Sequence, residues 1–359
     1  MLEEKLTIYQ IFVRNYSIEG TFEEVRKDLP RLKGLGVDII YLTPIQIIGE
    51  LNRKGTWGSP YAIKDYFSIS PDLGTLKDLQ KLISSTHELG MKIILDMVFN
   101  HTSPDNVLVN SHPEYYFYKN GKRGNRVGDW TDIVDLDTLR DDTQEYLVSV
   151  LKYWLDVGFD GFRFDVASTI PVSFFERARK ALGNKPIFFG ECVDEGFAKY
   201  LVSVNAIYAP DNKLMETFNY LYNYNWLDRM IEYLDNKKEL SYVIDAINND
   251  DPTCIRANCL ENHDKNRIAY MTKNTDQLKE WLKFSFALKG HNFIYMGEEY
   301  GIKHKPELFE KDPVIWPKEE NEIYRLVKEL ISNKHQPKSN NKICINNNIV
   351  IFDNKEYKL

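Results

Sequence analysis

The feature that most limits what this chain can fold into is a repeated order: an amphipathic helix, a glycine, then a short run of branched apolar residues. Thr21-Phe22-Glu23-Glu24 reads as a capping box; Phe22, Val25, Leu29, Leu32 and Leu35 follow at helical spacing, then Gly36, then the strand Val37 to Leu42. The second round opens at Thr75 to Asp78, carries Leu76, Leu79, Leu82 and Ile83, ends at Gly90, and continues as Met91 to Phe99. A third has Tyr146, Leu147, Val150, Leu151 and Trp154, Gly158, and the strand Gly161 to Val166; a fourth runs from Pro171 to Leu182 and into Pro186 to Glu191. Strands that are apolar on both faces and alternate with helices form a parallel sheet covered on both sides.

Four further runs, Ile8 to Val13, Leu214 to Phe218, Cys254 to Leu260 and Asn292 to Met296, bring the count to eight. Eight strands predict a (β/α)8 TIM barrel, the α/β class, rather than an open dinucleotide-binding sheet, which needs a Gly-rich turn directly after a strand. Gly34-Leu35-Gly36 follows a helix instead and reads as its terminus. A chain of 359 residues suits one such barrel of roughly 250 residues with additions. The expected organisation is barrel over 1–100, an inserted subdomain over 101–138, barrel again over 139–331, and a small β segment over 332–359 with strands at Ile343 to Ile345 and Ile349 to Phe352.

Charge narrows the function classes: 46 Lys+Arg against 53 Asp+Glu leaves a net −7, which argues against nucleic acid or a membrane surface as partner. The start is charged, and its first apolar run is too short for a signal sequence or a span, so the expected location is cytoplasmic. Cys192, Cys254, Cys259 and Cys344 form no C-x-x-C pair and read as free thiols.

In a barrel the chemistry sits at the C-terminal ends of the strands, and side chains two apart share a face. Asp96 to His101 ends the third strand; Arg163 and Asp165 stand two apart on the fourth; Glu191 ends the fifth; Glu261-Asn262-His263-Asp264 ends the seventh. Two carboxyls close together serve retaining glycoside cleavage, one as nucleophile and one as acid. Arg163 is expected to lower the pKa of Asp165, and a more enclosed Glu191 to keep its proton. His101, His263 and Asp264 are placed to bond sugar hydroxyls. Each residue also has a plainer reading: Asp165 as a cap, Arg163–Asp165 as a structural ion pair, His263-Asp264 and Glu298-Glu299 as solvated loops. A metal site of Asp96, His101, His263 and Asp264 is a further alternative, disfavoured because no H-x-H or H-E-x-x-H spacing occurs.

Taken together these stretches resemble the α-amylase superfamily of retaining glycoside hydrolases (glycoside hydrolase family 13). The resemblance runs from about Thr7 to Gly301 and adds Leu42-Thr43-Pro44, Ser59 to Tyr66 and Phe293 to Glu299 to the motifs above. It implies Asp165 as nucleophile, Glu191 as acid/base and Asp264 as transition-state stabiliser. Arg163 would orient the nucleophile, and Tyr61, His101 and His263 would line the sugar site. The implied activity is cleavage of α-1,4-glucosidic bonds in maltodextrin- or starch-like glucans. Transfer to a second sugar is the nearest alternative, and a binding barrel without activity the other. No cofactor and no metal is implied for the chemistry. Asn100 matches a position that ligates structural calcium in many members, but Ser168-Thr169 replace the usual Lys-His pair there, which leaves that calcium open. Val134-Asp135-Leu136-Asp137 resembles a motif of the insertion, with a solvated turn as the alternative for Asp135. Most of the family's C-terminal β-sandwich is absent here, which reads as truncation or a reduced natural form.

Overall fold

The computed structural model describes residues 4–128, 130–337, 342–347 and 349–359, so part of the charged start, Met1 to Glu3, lies outside the described residues. Eight parallel strands close into a barrel in sequence order: β1 (Thr7–Ile11), β2 (Ile39–Leu42), β3 (Lys92–Met97), β4 (Gly161–Phe164), β5 (Ile187–Gly190), β6 (Tyr220–Tyr222), β7 (Arg256–Asn258) and β8 (His291–Tyr295), with β8 paired to β1. Except for Lys92 at the start of β3, every residue in these strands is buried, as strands covered on both faces must be.

The helices begin and end for local reasons. In α1 (Phe22–Leu35) the apolar stripe Phe22, Val25, Leu29, Leu32 and Leu35 is buried, and Gly36 stops the helix in the left-handed region at φ 98°, its N–H returning to Leu32 O and Lys33 O. The capping box expected at Thr21 does not form: the Thr21 side chain makes no capping bond, because Glu23 and Glu24 turn outward to Arg26 and Lys27 one turn on. The box does form at Thr75, which exchanges bonds with Asp78 to open α2 (Leu76–Glu88). Then come α3 (Asp141–Val157) and α4 (Val172–Leu182). Gly161 opens β4 where a Cβ would come 2.2 Å from Ile187 O on β5, so only glycine allows the two strands to pair there.

The sixth strand is not at Leu214 to Phe218. Pro210 starts a single helical turn, Asp211–Leu214, and Phe218 turns inward to pack on Phe164, Phe175 and Phe188 with ring centroids 4.7–5.9 Å apart. The strand itself follows at Tyr220–Tyr222, in register with Phe189 on one side and Arg256 on the other. The seventh is shorter than its apolar run, because Cys254 and Cys259 lie in the flanking loops.

Between β3 and α3 the long connection folds on itself. His101–Thr102 pairs antiparallel with Val134–Asp135, and Tyr118–Lys119 pairs with Lys122–Arg123. Asp135 is 2% exposed, which overturns its reading as a solvated turn. At the other end of the chain Cys344–Asn346, Ile349–Phe352 and Lys355–Tyr357 form an antiparallel sheet. It is tied to the barrel's outer helices by Tyr357 against Phe284 (5.3 Å) and by the Asn248 amide, which meets both backbone groups of Ile343.

Glu298 and Glu299 are buried, not in a solvated loop. Glu299 Oε1 accepts from Tyr9 Oη (2.7 Å) and Arg31 Nη1 (2.8 Å), while Oε2 accepts the Gly297 N–H. One carboxylate thus joins β1, α1 and the end of β8, which offsets the cost of taking its charge out of water. Glu298 accepts the Tyr295 N–H, and burial, with Glu261 beside it, pushes its carboxyl well above the usual range.

Candidate active site

At the C-terminal mouth of the barrel, β3, β4 and β5 lie side by side with Asp96, Arg163 and Phe189 in register. Asp165 and Glu191 follow the last residues of β4 and β5, so both carboxyls emerge next to the fully buried Arg163. That guanidinium is shared three ways. Its Nη1 donates to Asp96 Oδ1 (2.8 Å) and Oδ2 (3.0 Å) and to Asp165 Oδ1 (3.0 Å). Its Nη2 lies 2.8 Å from Glu191 Oε2, an ion-pair contact toward which its N–H is not aligned. Asp96 also accepts from Tyr41 Oη (2.5 Å) and Tyr61 Oη (3.0 Å), so its side chain anchors the base of the site.

Sharing one cation among three carboxylates changes the expected electrostatics. Burial pushes the Asp165 carboxyl well above the ordinary range, and Glu191, Asp96 and Asp264 push it the same way against the single opposing Arg163. Arg163 therefore does not hold Asp165 below the normal carboxylate range. Nor is Glu191 clearly the more enclosed: its side chain is 8% exposed and that of Asp165 10%. Asp264 differs, with 42% of its side chain open to solvent. Burial works to raise it, but His263, Arg163 and Lys305 outweigh that and hold its carboxyl below the usual range.

The remaining site residues form a wall. Tyr61 stacks on His263, ring centroids 5.2 Å apart and planes 14° from parallel, and their Oη and Nε2 are 2.6 Å apart. His263 Nδ1 meets Gln10 Nε2 (2.8 Å) and Nε2 meets Asp264 Oδ2 (3.1 Å). His101 is 8% exposed, and burial lowers its imidazole to about 4, so it is neutral near pH 7. The structure thus brings Tyr61, Arg163, Asp165, Glu191, His263 and Asp264 into one connected network, with His101 beside it on the third strand's exit.

Four contributors were not singled out from sequence. Tyr224, the first residue of α5 (Tyr224–Leu234), donates to Glu191 Oε1 (3.1 Å). Asn262 Nδ2 donates to that same Tyr224 oxygen (2.8 Å), which turns the phenol proton toward Glu191, while Asn262 Oδ1 holds the Asp264 and Lys265 N–H groups. Val166, just past Asp165, sits at φ 37°, a strained conformation for a β-branched residue, and its N–H points at Glu191 Oε2 (2.7 Å). Lys305 Nζ tethers the Asp264 carbonyl (2.7 Å). A tyrosine opening a neighbouring helix or a lysine from a neighbouring loop carries no sequence signal, but a β-branched residue after the Asp at a strand end does hint at strain.

Calcium takes six to eight oxygen ligands, usually with several carboxylates, and beside Asn100 one carboxylate oxygen, Asp135 Oδ1, is buried without a partner. Asn100 Oδ1 accepts from Thr169 Oγ1 (3.0 Å), Asp135 accepts the Arg126 N–H (2.7 Å) with the Arg126 cation beside it, and among the described residues no three His, Cys, Asp or Glu side chains are placed to hold a metal ion.

The sequence model for the α-amylase catalytic domain matches residues 10–188 and 204–345. The chain is 27% identical over 349 residues to an intracellular maltogenic amylase of Bacillus subtilis, covering 88% of this chain and 55% of that protein. It is also 31% identical over 197 residues to an α-1,4-glucan:maltose-1-phosphate maltosyltransferase of Salinibacter ruber, covering 47% of this chain and 30% of that protein. The chain thus spans about half the length, or less, of these curated relatives. A crystal structure of an α-amylase from Lactobacillus plantarum superposes with a TM-score of 0.90 at 35% identity, over 96% of this chain and 84% of that one.

Proposed function

Because the chain belongs to the α-amylase family, we propose that it is a retaining glycosidase that cleaves α-1,4-glucosidic bonds in maltodextrin- or starch-like glucans. The observation that carries this reading is the single Arg163 guanidinium in contact with both Asp165 and Glu191, with Asp264 joined to the same network through His263 and Tyr61.

In the first step Asp165 attacks the anomeric carbon while the glycosidic oxygen takes a proton from Glu191 and departs, leaving a glycosyl–Asp165 ester. In the second, Glu191 takes a proton from water, whose oxygen attacks the same carbon and releases Asp165, so the configuration is kept. Burial and the neighbouring carboxylates raise the Asp165 carboxyl, and the Arg163 guanidinium opposes them. Arg163, with Nη1 3.0 Å from Asp165 Oδ1, supports the carboxylate that attacks. Asp264, held ionised, faces the positive charge that develops on the ring. The Tyr61 ring offers a flat face to a pyranose, and neutral His101 can both donate to and accept from a hydroxyl. Each step is assigned to side chains of this chain, with no cofactor.

Incubation of the protein, Asp165→Ala and Glu191→Gln with maltoheptaose tests the reading. Shorter α-configured products from the unmodified protein alone support it; β-configured products, or unchanged activity in either variant, refute it. Products longer than the substrate favour the transferase alternative, which the resemblance to a maltosyltransferase keeps in view. We place the protein in the cytoplasm, supported by the intracellular amylase it resembles; no helix among the described residues is long and apolar enough to cross a membrane.

A further inference from the structure

Among the described residues two aligned donors reach the Glu191 carboxyl: Tyr224 Oη at Oε1 (3.1 Å) and the Val166 N–H at Oε2 (2.7 Å). The second is a backbone group, so its aim is set by the path of the chain just past Asp165. Val166 lies in the left-handed region, at φ 37° and ψ 48°, which β-branched residues avoid and which persists only where the surrounding structure holds it. On one side the Asp165 N–H donates to Met97 O (3.0 Å), extending the pairing of β4 with β3 by one residue. On the other side Thr169 closes the short turn Ala167–Thr169. Its N–H and its hydroxyl each lie 2.8 Å from Val166 O, and the hydroxyl lies 3.0 Å from Asn100 Oδ1 at the exit of β3. A threonine that bonds back to a carbonyl three residues earlier fixes a local turn in this way. Thr169 is 8% exposed, and the reaction steps give the Ser168-Thr169 pair no role.

We propose that Thr169 is a positioning residue for Glu191: by holding the Val166 carbonyl it keeps the strained turn that aims the Val166 N–H at the carboxyl. The inference rests on the reading of Glu191 as the acid/base. As Glu191 passes its proton to the glycosidic oxygen its own oxygens gain charge, and the bond from the Val166 N–H strengthens. Without the Thr169 hydroxyl the Val166 carbonyl keeps one of these two donors, Val166 relaxes toward negative φ, and its N–H turns away from the carboxyl.

The leaving group separates this role from a merely structural one. In maltoheptaose the glycosidic oxygen departs as it takes the Glu191 proton; in α-maltosyl fluoride the C–F bond breaks and fluoride keeps the electron pair, with no proton needed. Asp165 forms the same kind of ester in both, and kcat/KM reads that step. Thr169→Val should lower kcat/KM on maltoheptaose about tenfold or more, the worth of one hydrogen bond to a charged group, and change it less than about threefold on the fluoride. Glu191→Gln should show the same contrast more steeply, and Thr169→Ser, which keeps the hydroxyl, should restore most of the rate. Melting curves check folding, and Thr169→Ala takes the place of Thr169→Val if the valine variant unfolds. Equal losses on the two substrates, no loss on maltoheptaose, or a Thr169→Ser as slow as Thr169→Val would overturn the proposal while Glu191→Gln still shows the contrast. No contrast in Glu191→Gln, or no cleavage of either substrate by the unmodified protein, would overturn the acid/base reading and this proposal with it.

Discussion

Replacing Tyr224 with Phe removes one oxygen and tests how far the acid/base carboxyl depends on its surroundings. The Asn262 amide donates to the phenol oxygen, so the phenol proton can go only to Glu191 Oε1. As Glu191 gives up its proton in the transition state, its oxygens gain charge and that bond strengthens. A hydrogen bond to a charged group contributes about 1.5–3 kcal/mol, and 1.36 kcal/mol is a factor of ten in rate. The expected result is therefore a fall of about 10- to 150-fold, chiefly in kcat, with KM little changed because the bond matters most in the transition state. Initial rates on maltoheptaose, with a melting curve to show that the barrel stays folded, read this directly. A loss under about threefold in a folded variant, or one confined to KM, would refute the argument that Tyr224 acts on the chemistry through Glu191.

Acid should destabilise the protein partly through His291. Burial lowers its imidazole from 6.5 to about 4, so between those values the unfolded chain binds more protons; the contribution is fully present above about 6.5 and is lost as the pH falls toward 4. His291→Asn, whose oxygen can still accept the Leu6 N–H, should flatten the acid limb of stability in urea unfolding by roughly 3 kcal/mol; an identical limb would contradict the cause given. Asp264→Asn should lower kcat by on the order of 10²–10³, the scale of losing one preorganised charge contact, and rates near wild type would remove it from the site. Because Asn100 Oδ1 is taken by Thr169 and no three His, Cys, Asp or Glu side chains among the described residues are placed to hold a metal ion, dialysis against a chelator followed by saturating calcium should leave the melting temperature unchanged; a site filled at 100 times its Kd would add about 2.7 kcal/mol, a rise of about 3–4 °C for a chain this long.

Sequence pattern carried the barrel because periodicity survives in the strands that matter most: β2, β3, β4 and β5 are dense in branched or aromatic residues and end in polar motifs. It failed at β6 because Leu214 and Phe218 are apolar for another purpose, packing a helical turn against the phenylalanine cluster. The site residues were legible for their type and strand position. Their electrostatics were not, since a sequence shows Arg163 beside Asp165 but not that Asp96 and Glu191 share the same guanidinium. Glu298 and Glu299 misled for the opposite reason: adjacent carboxylates look solvated until the partners are in place, for Glu299 Tyr9 of β1 and Arg31 of α1, remote in sequence, and for Glu298 the nearby Tyr295 N–H.

Those partners also set a timetable for biosynthesis. Tyr9 and Glu299 are 290 residues apart, so at about 5–20 residues per second the ribosome needs roughly 15–60 s between making one and the other. Throughout that interval β1 shows a row of unpaired backbone groups on the side that β8 will cover, the kind of edge on which chains aggregate. The yield of folded protein in a cell therefore depends on what shields that edge until the last strand arrives.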